Sequence, residues 1–133
     1  IHKETEVVIP LHPHTAKRLK EYDLKLNCTT IDPLGYKEMK RFIADSSFVI
    51  TDSGGACREA FFSAKRTLII MEYPFWPEIV QSGAALNCKP DLKEILKKFG
   101  ELKLSQPHFD INIFGDGCAS KNIALHLNSL HNP

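Results

Sequence analysis

The chain has 133 residues, which sets an expectation of one domain. Its composition, 43% hydrophobic and 25% charged, excludes the disordered and fibrous classes. Seventeen Lys and Arg against sixteen Asp and Glu leave a net charge of +1, without the basic surplus of a nucleic-acid surface.

The apolar runs fall far short of the ~20 residues that a bilayer span needs. No segment at the start reads as a signal or transit peptide. Neither a membrane nor a nucleic acid is therefore an expected partner. The first residue is Ile1 rather than Met, so the chain is expected to be a piece of a longer one.

In chain order, Glu6–Leu11 (EVVIPL) is β-branched and brief, and is expected to form a strand. Pro13–Tyr22 reads as a helix with Pro13 near its first turn and Leu19 and Tyr22 on one face. Cys28–Ile31 is a second strand. Tyr36–Asp45 is helical, with Tyr36, Met39 and Ile43 at i, i+3 and i+7. Phe48–Thr51 is a third strand. Gly55–Ala64 is a helix with Cys57, Ala60, Phe61 and Ala64 on one stripe. Thr67–Met71 is a fourth strand, Pro77–Ser82 a short helix and Ala84–Cys88 a short strand. Asp91–Phe99 is a helix capped by Asp91, with Leu92, Ile95, Leu96 and Phe99 as its apolar face. Glu101–Gly117 has no clear period and reads as a loop, and Ala119–Leu130 is a closing helix.

Strands that alternate with helices imply βαβ units and a parallel sheet. The strands are nearly all apolar, as when helices cover both faces. Ligands of such sheets sit at the carboxyl ends of the strands, so chemistry is expected just after each strand.

The third strand ends in Thr51-Asp52-Ser53-Gly54-Gly55, and a helix follows at once. The first N–H groups of a helix lack partners, and the helix dipole adds partial positive charge. Two glycines let a phosphate approach the backbone with no Cβ in the way, and Ser53 adds a hydroxyl. Glu59, about one turn further on, is poor company for a phosphate but suits the neighbouring diol of a ribose. The segment thus suggests a nucleotide, although a plain strand-to-helix turn would use the same residues. It matches neither the P-loop nor the dinucleotide fingerprint. The D-S-G-G of a trypsin-like serine nucleophile belongs to an all-β chain, and the α/β-hydrolase elbow needs Gly where Thr51 stands.

His12-Pro13-His14 also follows a strand, and an imidazole there could donate to a phosphate. No third ligand clusters with the two histidines, so no metal is expected. Cys28, Cys57, Cys88 and Cys118 contain no C-x-x-C spacing. They are expected to be reduced, packed core thiols of a cytoplasmic protein, with an exposed Cys118 as the alternative.

Five ordered blocks, VVIPLHPHTAKRL, IDPLGYKEM, FVITDSGGACREAFF, PFWPEIVQSG and INIFGDGCASKNI, resemble the C-terminal half of UDP-N-acetylglucosamine 2-epimerases. The family's pattern reads H-P-R, then T-D-S-G-G-x-x-x-E-A, then R-P-E or W-x-E, then N-P-Y-G-D-G-x-A-S. The resemblance implies a Rossmann-like domain, the C-terminal one of a two-domain GT-B-type enzyme. Residues 1–133 would then be a UDP-binding fragment lacking the first strand–helix unit of that domain and the whole N-terminal domain. It implies that His12, Ser53 and Gly55 contact the diphosphate, with Gly54 shaping the loop. Glu59 would bind the ribose, and the stretch from Leu34 to Met39 would line the uracil pocket.

The implied reaction interconverts UDP-GlcNAc and UDP-ManNAc by proton abstraction at C2, with UDP expelled and re-added. The acids and bases for that step are implied to lie on the N-terminal half. Glu59, Asp52 and Glu78 show no division of labour of that kind, and His12 is the single candidate here for a catalytic role. The resemblance further implies a cytoplasmic homodimer at full length, no cofactor, and a fragment that is inactive alone. Where the family has Arg after H-P, this chain has His14. Where many members have Arg before P-E, it has Trp76, which removes a bidentate anion clamp. The Trp is similar to a T-E-W branch acting on UDP-diacetamido-uronic acids. A 2-epimerase of that substrate is thus one alternative; the nucleotide-binding domain of a GT-B glycosyltransferase is another. A flavodoxin-like module without activity is a third reading.

Overall fold

The structure, a computed structural model, describes residues 1–131. The elements run β1 (Val8–Pro10), α1 (Pro13–Glu21), β2 (Thr29–Ile31), α2 (Tyr36–Asp45), β3 (Phe48–Thr51), α3 (Gly54–Phe62), β4 (Arg66–Ile70), α4 (Pro77–Gln81), β5 (Ala85–Cys88), α5 (Leu92–Leu104), a short 3-10 helix (Ile111–Phe114) and α6 (Ala119–His131). All strand pairs are parallel. The strand–helix alternation expected from the sequence is present throughout. The strands are hydrogen-bonded in two groups, β1-β2 and β3-β4-β5, rather than in one continuous ladder. The chain correspondingly divides into two compact units, Ile1–Asp45 and the remainder from Ser46.

In the first unit, β1 pairs with β2 in the register Val8↔Thr29, Ile9↔Thr30, Pro10↔Ile31. Helix α1 connects them, with Pro13 in its first turn, where a missing N–H is harmless. No residue of α1 is buried, and α2 buries only Ile43. Tyr36, expected on the apolar face of α2, is exposed.

In the second unit, β4 is the central strand, and its alternating side chains sort the helices to two faces. Ile69 packs in a buried cluster with Cys57 and Phe61 of α3 and Ile79 of α4. The opposite face carries Phe48, whose ring meets Phe99 of α5 edge-on at 5.4 Å. Arg66, in register with Phe48, stacks on the same ring at 4.5 Å. The sheet of this unit is thus covered on both faces, and that explains its nearly all-apolar strands.

The expected loop from Glu101 to Gly117 is corrected at both ends. Helix α5 continues through Gly100 to Leu104, and Leu102 is fully buried. Arg66 Nη1 donates to the carbonyls of Leu102, Lys103 and Ser105, satisfying acceptors that a helix end leaves open. A cation 36 positions away therefore holds the last turn, and local periodicity does not reveal it. Ile111–Phe114 forms the 3-10 helix, with Asp110 Oδ1 accepting from the Asn112 N–H at 2.9 Å.

Helix α3 starts at Gly54 and ends at Phe62, one and two residues earlier than expected. Leu92 and Leu96, expected to face the core from α5, are exposed. In α6, Ile123, Leu125, Leu127 and Leu130 are exposed as well.

The cysteines divide. Cys57 and Cys88 are buried thiols, Cys28 is half-buried and Cys118 is exposed, so the core assignment fails for Cys118 and its alternative holds. Burial pushes the Cys57 thiol up to about 11, and it raises Cys88 too. No helix among the described residues is long and apolar enough to cross a membrane.

Candidate functional site

The turn after β3 is built by short side chains bonding to nearby backbone. Thr51 Oγ1 accepts from the Ser53 N–H at 3.0 Å. Ser53 has extended backbone angles and caps α3, its Oγ accepting from the Ala56 N–H at 3.3 Å. The first intrahelical bond runs from the Cys57 N–H to the Ser53 carbonyl at 3.0 Å. Two adjacent donors, the N–H groups of Gly54 and Gly55, have no hydrogen-bond partner among the described residues. The Ser53 hydroxyl oxygen is engaged as the cap, and its proton is left to donate outward.

The two glycines differ. A Cβ built on Gly54 would lie 2.8 Å from the Phe75 ring, so this position is glycine because Phe75 packs against it. A Cβ on Gly55 would meet nothing closer than Ser53 Oγ at 3.7 Å. The space at the Cβ position of Gly55 is open. Glu59 stands four residues after Gly55 on the same helix face, and helical side chains lean toward the N-terminus. Glu59 is half-buried on that face, one turn behind Gly55. Cys57, Ala60 and Phe61, on the other side of α3, are buried and fix its rotation.

His12 is in the first unit, at the carboxyl end of β1, where it caps α1. Its Nδ1 accepts from the His14 N–H at 3.2 Å, which leaves Nε2 as the ring's outward donor. Leu34 and Met39 are half-buried in the same unit, Met39 on α2. Also in this unit is an open cleft of about 500 Å³ lined by Leu11, Ala16, Thr30, Ile31 and Asp32. It lies at the carboxyl ends of β1 and β2. Sequence reading did not single out these residues, although their position after parallel strands was the available signal.

The structure thus brings Ser53, Gly54, Gly55 and Glu59 together on α3. His12, Leu34 and Met39 belong to the other unit. Asp52 and Glu78 are exposed, Glu78 in the first turn of α4. No three His, Cys, Asp or Glu side chains among the described residues converge as metal ligands would. Trp76 is a site residue whose role sequence reading missed: its indole Nε1–H donates to the Gly54 carbonyl at 2.8 Å.

Residues 1–128 match the model of the UDP-N-acetylglucosamine 2-epimerase family. The chain belongs to that family. It is 35% identical over 125 residues to a UDP-2,3-diacetamido-2,3-dideoxy-D-glucuronate 2-epimerase of Pseudomonas aeruginosa, covering 93% of this chain and 35% of that protein. It is 32% identical to a UDP-N-acetylglucosamine 2-epimerase of Methanocaldococcus jannaschii over 88% of this chain and 33% of that one. The M. jannaschii UDP-GlcNAc 2-epimerase solved in complex with UDP-GlcNAc and UDP superposes with a TM-score of 0.83 at 26% identity, over 96% of this chain and 36% of its own. The chain therefore spans about a third of the length of these relatives.

Proposed function

We propose that this chain is the UDP-binding C-terminal part of a UDP-sugar 2-epimerase that interconverts UDP-GlcNAc and UDP-ManNAc. The observation that carries the reading is the pair of unpartnered amides at Gly54 and Gly55, with open space at the Cβ position of Gly55 and a carboxylate one turn behind. Bonds from such amides to a charged acceptor are worth about 1.5–3 kcal/mol each. The diphosphate is held by those two N–H groups and the Ser53 hydroxyl. The Glu59 carboxylate accepts from both ribose hydroxyls.

In the reaction a base removes the C2 proton while the bond from C1 to the UDP oxygen breaks, leaving a C1=C2 double bond. UDP is then re-added as a proton reaches C2 from the opposite face. The chain holds the leaving group, whose growing negative charge the α3 amides stabilise. The base and its matching acid come from an N-terminal half that precedes these residues. The first strand–helix unit of this C-terminal domain stands between that half and these residues. The whole enzyme is a cytoplasmic homodimer, and the C-terminal part alone does not turn over substrate.

Incubation of the chain joined to its N-terminal half with UDP-GlcNAc in deuterated water tests this reading. Deuterium incorporation at C2 is expected, with both epimers appearing. Transfer of the sugar to an acceptor without exchange at C2 would contradict it. The 35% identity to the diacetamido-glucuronate enzyme makes that UDP-sugar the second substrate to offer in the same assay.

A further inference from the structure

Two consecutive glycines are a poor way to begin a helix. Each loses more backbone freedom on ordering than any other residue and lowers helix stability by about 1 kcal/mol relative to alanine. The reading proposed above nevertheless requires that the first turn of α3 be held still, because an amide that frays cannot receive a phosphate already aimed. The second unit contains a tether for that turn. Trp76 stands at the start of α4, where its side chain makes no capping bond to its own helix. Its indole reaches instead to the Gly54 carbonyl at 2.8 Å. The ring is in turn fixed from two directions. The Arg58 guanidinium lies 4.9 Å from its centroid, and Phe114 meets it edge-on at 5.6 Å. Phe75, the residue before Trp76, packs against the Cα of Gly54.

We propose that Trp76 is a positioning residue for the diphosphate: by fastening the Gly54 carbonyl it fixes the Gly54–Gly55 peptide and so aims the Gly55 N–H at the ligand. The peptide is trans, so its C=O and N–H point in opposite directions. A donor that pins the oxygen from the protein side holds the hydrogen facing outward. The tether acts on the loop without touching the nucleotide, and pre-ordering of this kind raises affinity by removing an ordering cost at binding. Arg58, by stacking on the indole, keeps the ring in the plane from which its N–H reaches Gly54. The inference rests on the functional reading above, through the claim that phosphate meets the Gly55 amide.

The test compares UDP with uridine, which has no phosphate, on the wild-type protein and on Trp76→Phe. Phenylalanine keeps an aromatic ring for Phe114 and Arg58 but has no N–H. UDP affinity is expected to fall about five- to tenfold, the equivalent of one hydrogen bond, while uridine affinity is unchanged. The Gly54 carbonyl carbon resonance should move upfield in the variant. Equal loss for both ligands would overturn the inference, since general loosening of the unit would not spare uridine. So would a variant that binds UDP as the wild type does. Wild-type protein in which UDP leaves the Gly55 amide unmoved would instead overturn the functional reading itself. A measurement free of any variant is available because Trp76 is the one tryptophan of the sequence. Its indole N–H should exchange slowly with solvent, and more slowly with UDP bound; exchange at the rate of a free indole would overturn the inference.

Discussion

Gly55→Ala is expected to weaken UDP binding by about 10- to 100-fold, the equivalent of one charge-assisted hydrogen bond, while leaving the protein as stable as before or slightly more so. The two effects have separate causes, and their combination is what makes the variant informative. The new methyl meets nothing closer than Ser53 Oγ at 3.7 Å, so it introduces no clash within the folded chain. Gly55 has no left-handed backbone angle, and alanine in a helix is favoured over glycine by up to about 1 kcal/mol. A rise of a few degrees in melting temperature is the expected direction. On the proposed reading, the same methyl crowds the approach of a phosphate oxygen to the amide. Valine at this position should extend the loss to no detectable binding. Gly54→Ala is a different experiment, because its methyl would lie 2.8 Å from the Phe75 ring and that ring must shift. Calorimetric titration together with thermal melts of the two alanine variants checks the contrast. A Gly55→Ala protein with wild-type UDP affinity would contradict the assignment of this face to the ligand.

Phe61→Ala is expected to be the most destabilising single truncation in the second unit, at about 3–5 kcal/mol. Phe61 is fully buried, and its ring lies within 5.9 Å of the Phe62, Phe109 and Phe114 rings, centroid to centroid. Removing it opens a cavity beneath α3 and withdraws three aromatic contacts, each worth about 0.5–1.5 kcal/mol beyond its area. Phe62, the next residue, is 48% exposed and has Phe114 as its other ring neighbour. Its truncation should cost about 1 kcal/mol, within the common range for point variants. Urea unfolding followed by circular dichroism separates the two, and equal midpoints would contradict the burial of Phe61. The consequence for binding follows from geometry. Phe61 and Cys57 anchor the helix whose first turn carries the two open amides, so a loosened Phe61 also loosens the site.

The site was more legible in the sequence than the packing around it. The turn from Thr51 to Gly55 and the i,i+4 spacing from Gly55 to Glu59 are local. Short polar side chains and glycines at a strand-to-helix junction have few conformations open to them, so the unpartnered amides could be anticipated. The cap was read less well. Ser53 was expected to give its hydroxyl to a phosphate, and its oxygen turned out to be engaged with the Ala56 N–H. His12 likewise spends Nδ1 on capping α1.

What sequence reading missed was carried by contacts between distant positions. The indole of Trp76 reaches back 22 residues to Gly54, and Arg66 reaches forward to the end of α5. Neither leaves a periodic trace. The helix read as ending at Phe99 runs on to Leu104, because Arg66 and the burial of Leu102 carry α5 past the last residue of its local apolar period. The exposed Leu92 and Leu96 show the reverse error: an apolar period marks a face, not what covers that face. The Arg-to-Trp departure at Trp76 looked like a lost cation from sequence alone. In the structure the indole fastens the loop, and Arg58 brings a guanidinium onto its ring.

The central claim is that a pyrophosphate group lies on the Gly54 and Gly55 amides. Titrating UDP into nitrogen-15-labelled protein while following backbone amide resonances tests it most directly. The Gly54 and Gly55 signals should move furthest, downfield and saturably, with Ser53 and Glu59 following and α5 and α6 unmoved. Those two glycine signals staying fixed at millimolar UDP while resonances elsewhere shift would contradict it.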